Sequence, residues 1–170
     1  MITMEIVVLI LVAYLVGSIP TGLLIGKLFF HTDVRQYCSK NIGATNTYRV
    51  LGMKAALPVF LGDAGKGAIG VLLFSPNPEW MIVGGLCAMI GHNWSIFLGF
   101  SGGRGVATGL GVLIALSPIA AIICFAVWGI IVKFTSYVSL GSIVAATLVP
   151  IVMYCLSEPL PYIIFGAIAA

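Results

Sequence analysis

The chain has 170 residues, 61% hydrophobic and only 8% charged, with a formal net charge of +3. Soluble domains carry about 25% charged residues. The composition therefore excludes a water-soluble globular domain. It predicts a single integral membrane domain over 1–170, partnered by the lipid bilayer and by no nucleic acid.

The chain opens "MITMEIVVLILVAYLVG", with Glu5 and no Lys or Arg before the apolar run. That flank is wrong for a signal peptide, so a retained first span is expected. Within it, "GSIPTG" (17–22) predicts a kink, with Ser18 and Thr21 satisfying backbone groups that Pro20 frees. Further apolar runs occupy roughly 53–75, 79–98, 105–134 and 137–156, and a last one starts near 159. The 105–134 run is too long for one span, and a residue before proline disfavours helix. Ser117-Pro118 therefore divides it into 105–116 and 118–134. The first piece would be about 18 Å long, too short to cross unaided. The expected fold is all-α, a bundle of about seven transmembrane or half-inserted helices. The closing "EPLPYIIFGAIAA" is too short to cross, which predicts a cytoplasmic tail beyond it.

Charge orients the bundle. With the N-terminus outside, loop 31–53 and the turns at 99–104 and 133–138 become cytoplasmic. Every loop Lys and Arg then lies inside, while the outer connections hold Glu5, Glu79 and Glu158. This satisfies the positive-inside rule. The four cysteines, at 38, 87, 124 and 155, form no Cys-x-x-Cys unit, and three lie in apolar runs. They are expected as buried small hydrophobes, not a disulfide framework or metal site.

Four polar elements interrupt the apolar pattern. Residues 31–52, "HTDVRQYCSKNIGATNTYRVLG", form a long polar connection where a few residues would suffice. Ser39, Asn41, Thr45, Asn46 and Arg49 are its candidate functional side chains. In "GDAGKGAIG", Asp63 and Lys66 share a helix face. Charges at that depth cost about 2.5–3.5 kcal/mol each, so they must face protein or a cavity. A mutual ion pair and direct ligand contact both fit. His92-Asn93 ends a run of small residues, as helix–helix hydrogen bonders or polar support. Gly102, Gly103, Arg104 and Gly105 then open a helix. Glycines bring backbone N–H groups close to a ligand, a helix N-terminus favours anions, and a guanidinium grips phosphate. Tight helix packing fits the glycines equally well. Neither histidine has a partner at metal-ligand spacing, so no metal is expected.

Together these elements resemble one family. "GSIPTG", "SKNIGATNTYRVLG" (39–52), "DAGKG" (63–67), "GHNWSIFLGFSGGRGVATGLG" (91–111) and "SYVSLGSI" (136–143) stand in the order seen in bacterial acyl-phosphate:glycerol-3-phosphate acyltransferases. The resemblance implies a polytopic enzyme of the bacterial inner membrane. It would move an acyl group from acyl phosphate to the 1-hydroxyl of glycerol-3-phosphate, without a cofactor, at a site facing the cytoplasm. It implies that Ser39 and Arg49 are required for activity, that Asn41 contacts substrate, and that Gly102–Gly105 is a phosphate loop. It also implies that Ser139 or Ser142 helps hold phosphate. Lys66, Thr45 and Asn46 join as expected substrate contacts, and Asp63, His92 and Asn93 as polar support.

The chain departs from the family pattern at named positions. Cys38 and Lys40 stand where glycines usually flank the serine, and Arg104 stands for the usual lysine. Those departures keep an inactive paralogue open as an alternative. A small carrier or binding protein for a phosphorylated metabolite, with Asp63 and Lys66 in its path, is the other.

Overall fold

The structure, a computed structural model, describes residues 3–169. Among the described residues nine α-helices follow one another: α1 (Met4–Ser18), α2 (Thr21–Phe30), α3 (Ala44–Leu51), α4 (Met53–Leu72), α5 (Pro78–Asn93), α6 (Val106–Leu116), α7 (Pro118–Thr135), α8 (Val138–Cys155) and α9 (Leu160–Ala169). There is no strand among the described residues. α4, α7, α8 and α5 continued to Leu98 are long and apolar enough to cross a membrane. α1 and α2 form one span bent by 44°, and α6 and α9 are shorter apolar helices. One bent span, four full ones and two short helices match the expected seven.

Local chemistry sets the boundaries. Asn77 caps α5 by accepting from Trp80 N at 3.3 Å, and Pro78 occupies the first turn, where its missing N–H costs nothing. Ser117 ends α6 and Pro118 starts α7, so the split falls where the sequence places it. α3 is an amphipathic helix inside the polar connection, and it stops at Gly52, whose φ is 78°. Its eight residues are too few for a periodicity signal, so the sequence does not reveal it.

The kink after Ser18 is real, but its freed carbonyls find other partners than those expected. Ser95 Oγ donates to Ser18 O at 2.6 Å and Lys66 Nζ donates to Ile19 O at 2.9 Å. Thr21 turns its hydroxyl to Asp63 instead. The cysteine expectation also needs correction. Cys124 is buried, but Cys38 and Cys155 are exposed, and all four are free thiols.

The bundle has two ends. Val71, Phe74, Met81, Val112, Leu116, Ala120, Met153 and Phe165 gather in one apolar core, where α4 and α6 end and α5 and α7 begin. At the other end lie the 31–52 connection and the turn before α6. Between them α4 and α6 cross backbone to backbone. A Cβ on Gly67 would strike Thr108 O, and one on Gly111 would strike Ala64 O.

Candidate active site

Asp63 is the hub of the polar end. Its carboxylate is buried and pairs with Lys66 Nζ at 2.9 Å across one helical turn. Thr21, just past the proline break, donates to the same Oδ1. His92 Nδ1 approaches it at 3.5 Å, too long for a hydrogen bond but close enough to feel the charge. One carboxylate thus touches the α1–α2 break, α4 and α5. Lys66 spends two of its three N–H donors on Asp63 and Ile19 O. Of the two readings of this pair, the geometry is that of an ion pair fastening helices.

The 31–47 connection is folded around Asn46. That side chain is buried. Its Oδ1 accepts from Ser39 N and Ser39 Oγ, both at 3.0 Å. Its Nδ2 donates to Val34 O and Asn41 O, both at 2.8 Å. Asn46 therefore has no group left for a substrate and works as the loop's organiser. Asn41 Oδ1 accepts from Gly43 N at 2.8 Å, which leaves its amide N–H groups without a partner among the described residues. Ser39 is exposed and its hydroxyl donates to an amide oxygen, which is not a base. Thr45 and Arg49 are exposed on α3.

Cys38 and Lys40 adopt φ of 51° and 56°, the left-handed region glycine enters freely. The loop holds the shape that two glycines would give it, at a cost of about 1–2 kcal/mol per residue. The connection seats on α2 where Gly22 lets Ile42 O approach, with Thr47 Oγ1 beside it. A basic surface cluster precedes the loop: Arg35 donates to Asp33 through Nε and Nη2 at 2.9 and 2.7 Å, and Lys27 stands 3.6 Å away. The Arg35 guanidinium lowers the Asp33 carboxyl to about 2.

The Gly102–Gly105 turn lies on the end of α5. Gly103 N donates to His92 O at 3.0 Å. Gly105, with φ 76°, precedes α6, whose first backbone bond runs from Gly109 N to Gly105 O. The N–H groups of Val106, Ala107 and Thr108 have no backbone acceptor, the usual state of a helix start. Arg104 is exposed. Neither Arg49 nor Arg104 has a carboxylate within 4.0 Å among the described residues. Hydrogen-bond donors and unneutralised cations thus flank the polar end, and this set fits an anion.

Ser139 and Ser142 lie in the first two turns of α8. Ser142 Oγ bonds back to Val138 O at 3.0 Å, and α8 packs on α7 and α9. The structure does not draw these serines into the Asp63 cluster. No group of three His, Cys, Asp or Glu is placed to hold a metal among the described residues. Two grooves, of about 340 and 280 Å³, lie elsewhere, beside Glu79 and Phe165 and beside Glu5 and Trp80. Ser95 is the polar partner that the sequence does not single out, its only signal a hydroxyl just past His92-Asn93. Thr21 is assigned by the sequence to backbone groups at the kink and is found on Asp63.

Known proteins share this fold. The sequence model of the family described as glycerol-3-phosphate acyltransferase matches residues 7–170. Glycerol-3-phosphate acyltransferase 2 of Moorella thermoacetica is 47% identical over 161 residues, covering 94% of this chain and 83% of the relative. The enzyme of Lactiplantibacillus plantarum is 44% identical, covering 88% and 74%. The crystal structure of PlsY, an integral membrane glycerol 3-phosphate acyltransferase in its glycerol 3-phosphate form, superposes with a TM-score of 0.88 at 37% identity, covering 96% of this chain and 84% of that one. The same protein in its lysophosphatidic acid form gives 0.85 at 36% identity, covering 96% and 83%. An all-helical membrane bundle that matches this model over almost its whole length belongs to the glycerol-3-phosphate acyltransferase family.

Proposed function

We propose that this protein transfers the acyl group of acyl phosphate to the 1-hydroxyl of glycerol-3-phosphate, on the cytoplasmic face of a bacterial inner membrane. The acyl carbon–phosphate oxygen bond breaks and an ester bond forms. The hydroxyl proton leaves, in overall balance, on inorganic phosphate, and lysophosphatidic acid remains. The observation that carries this reading is that two exposed guanidinium groups without a carboxylate partner, Arg49 and Arg104, stand one beside a connection folded on the buried Asn46 and the other in a turn packed on the buried His92. Both substrates bring a phosphate, and a member of the family has been solved with glycerol 3-phosphate and with lysophosphatidic acid.

Acyl phosphate carries its own leaving group, so positioning and charge stabilisation are the chemistry required. Arg49, Arg104 and the backbone N–H groups of Gly102–Gly105 and the start of α6 neutralise and orient phosphate. Ser39 and Asn41 present their free hydroxyl lone pair and amide N–H groups to substrate. Ser39 is not a covalent nucleophile here, because no base takes its proton. Asn46 acts one step back by holding Ser39 and Asn41, and Lys66 acts further back by fixing Asp63 and the α1–α2 break. The assignment of Ser139 or Ser142 to phosphate rests on the motif alone. A carrier would keep Asp63 and Lys66 open to a path, but both are buried and paired.

The test is purified protein with acyl phosphate and glycerol-3-phosphate. Lysophosphatidic acid and phosphate are expected in equal amounts, and Ser39→Ala or Arg49→Ala should abolish both. Glycerol-3-phosphate flux into proteoliposomes without acyl-phosphate consumption would overturn the reading. Absence of turnover together with intact folding would favour the inactive paralogue.

A further inference from the structure

The glycines of the Gly102–Gly105 turn invite the view that they clear space for a ligand. Their surroundings point the other way. An added Cβ on Gly103 would collide with His92 Nε2 and lie 2.5 Å from Cε1 and 2.8 Å from Cδ2 of that ring. Gly103 therefore rests on the tip of the imidazole, while its N–H is tied to the same residue's carbonyl at 3.0 Å. The ring has no room to retreat. It is buried, with Nδ1 facing Asp63 Oδ1 at 3.5 Å, and Asp63 is held in turn by Lys66 and Thr21. Gly102 is confined differently: its Cβ would strike the His92 carbonyl oxygen and stand 2.8 Å from Asn93 O. That contact is with backbone, which no side-chain change relieves.

We infer that His92 is a positioning residue whose ring and carbonyl set the shape of the Gly102–Gly105 turn, so that position 103 is glycine because of His92. The inference rests on the reading of this turn as the phosphate loop. It adds that the loop's geometry is transmitted from Asp63 through one imidazole. His92 then touches no substrate. It fixes where the Gly103 and Arg104 backbone and the Arg104 guanidinium meet phosphate, so its effect belongs to glycerol-3-phosphate affinity more than to turnover.

A double-mutant cycle tests this. Wild type, Gly103→Ala, His92→Ala and the double variant are compared for KM of glycerol-3-phosphate, for kcat and for thermal midpoint in detergent. Gly102→Ala in both backgrounds serves as control. Gly103→Ala alone should raise KM by about tenfold or more, with a smaller change in kcat. In the His92→Ala background it should change KM by less than about twofold, since the clash is gone. Gly102→Ala should be equally damaging with or without His92. The thermal midpoint should follow the same pattern, falling with Gly103→Ala only where the ring is present. If Gly103→Ala is as damaging without the ring as with it, the glycine serves the ligand and the inference is wrong. Should His92→Ala lack turnover, the thermal arm still decides, and His92→Ser repeats it with a smaller loss of polarity. Thermal coupling without any acyl transfer would leave the mould in place and sink only the phosphate reading.

Discussion

The helices α1 to α6 and the helices α7 to α9 are built by different means. Half of the apolar window of α4 is buried inside the protein, against 11% of that of α8. In the first group backbones touch through glycines, and a buried carboxylate collects partners from three elements. In the second group helices meet through side chains, as where Gly166 of α9 faces Val149 and Met153 of α8, and most of the surface is left for lipid. Lipid tails are as apolar as a leucine, so helices gain nothing from hydrophobicity alone and depend on close contact and polar pairing. Position is therefore specified where α1 to α6 meet, and the candidate site stands on that part.

The sharpest way to break the contrast is to remove the hub. Asp63→Ala leaves the Lys66 ammonium buried without its partner, a change that costs about 3–5 kcal/mol in buried pairs. Asp63→Leu with Lys66→Met removes both charges and should recover most of the loss in thermal midpoint. The carboxylate of the second group, Glu158, accepts from Ser117 at a helix junction. Glu158→Gln keeps an acceptor and should cost less than about 1 kcal/mol. Equal losses at the two carboxylates would erase the distinction.

The backbone crossing gives the next effect. Gly111→Ala drives a methyl into Ala64 O, where nothing flexible yields, so the cost should reach the upper end of the overpacking range, about 3 kcal/mol. Gly129 in α7 has nothing within 4 Å of a Cβ. Gly129→Ala should stabilise by about 0.5–1 kcal/mol, because alanine is the better helix former. Thermal unfolding in detergent reads both signs.

The sequence carried most of the fold because hydropathy is a strong signal in lipid. Span positions, the break at Ser117-Pro118 and the shared face of Asp63 and Lys66 all follow from patterns of one residue type. What it hid were relations across distance. The sequence leaves open whether Lys66 meets phosphate or Asp63, and the choice rests on Ile19 O and Thr21, far away in the chain. Asn46 reads like any polar loop residue until its four hydrogen bonds are seen. α3 is too short to carry a period of its own.

Asn46 tests that hidden layer. Asn46→Ala removes partners from Ser39, Val34 and Asn41 and should cost at least about 2 kcal/mol, at about 0.5–1.5 kcal/mol for each bond net. Faster hydrogen exchange over 34–46 and loss of acyl transfer should accompany it, with the spans intact. Thr147 in α8 only bonds back to Val144 O at 2.9 Å, and Thr147→Ala should stay within about 0.5 kcal/mol. A smaller gain is available beside Ser39. Cys38→Gly and Lys40→Gly relieve left-handed strain and should each stabilise the folded loop by up to about 1 kcal/mol, less the entropy glycine adds to the unfolded chain. Acyl transfer should persist in both. Its loss would mean that the side chains at 38 and 40 serve the reaction.

The smallest effect separates the exposed loop charges from the buried ones by pH. Asp33 is held by Arg35 and Lys27 at the loop surface, with its carboxyl lowered from 3.8 to about 2. A group that binds its proton less tightly when folded stabilises the fold fully above its unfolded value, and the gain fades as pH falls through its folded one. Asp33→Asn should therefore cost a constant amount from pH 5 to pH 8, less than about 1 kcal/mol because the pair is partly solvated. The difference between variant and wild type should close between about pH 4 and pH 2. A difference in thermal midpoint that already changes between pH 6 and pH 8 would mean that Asp33 is coupled to a group titrating near neutrality. The loop would then belong electrostatically with the buried hub and not with the surface.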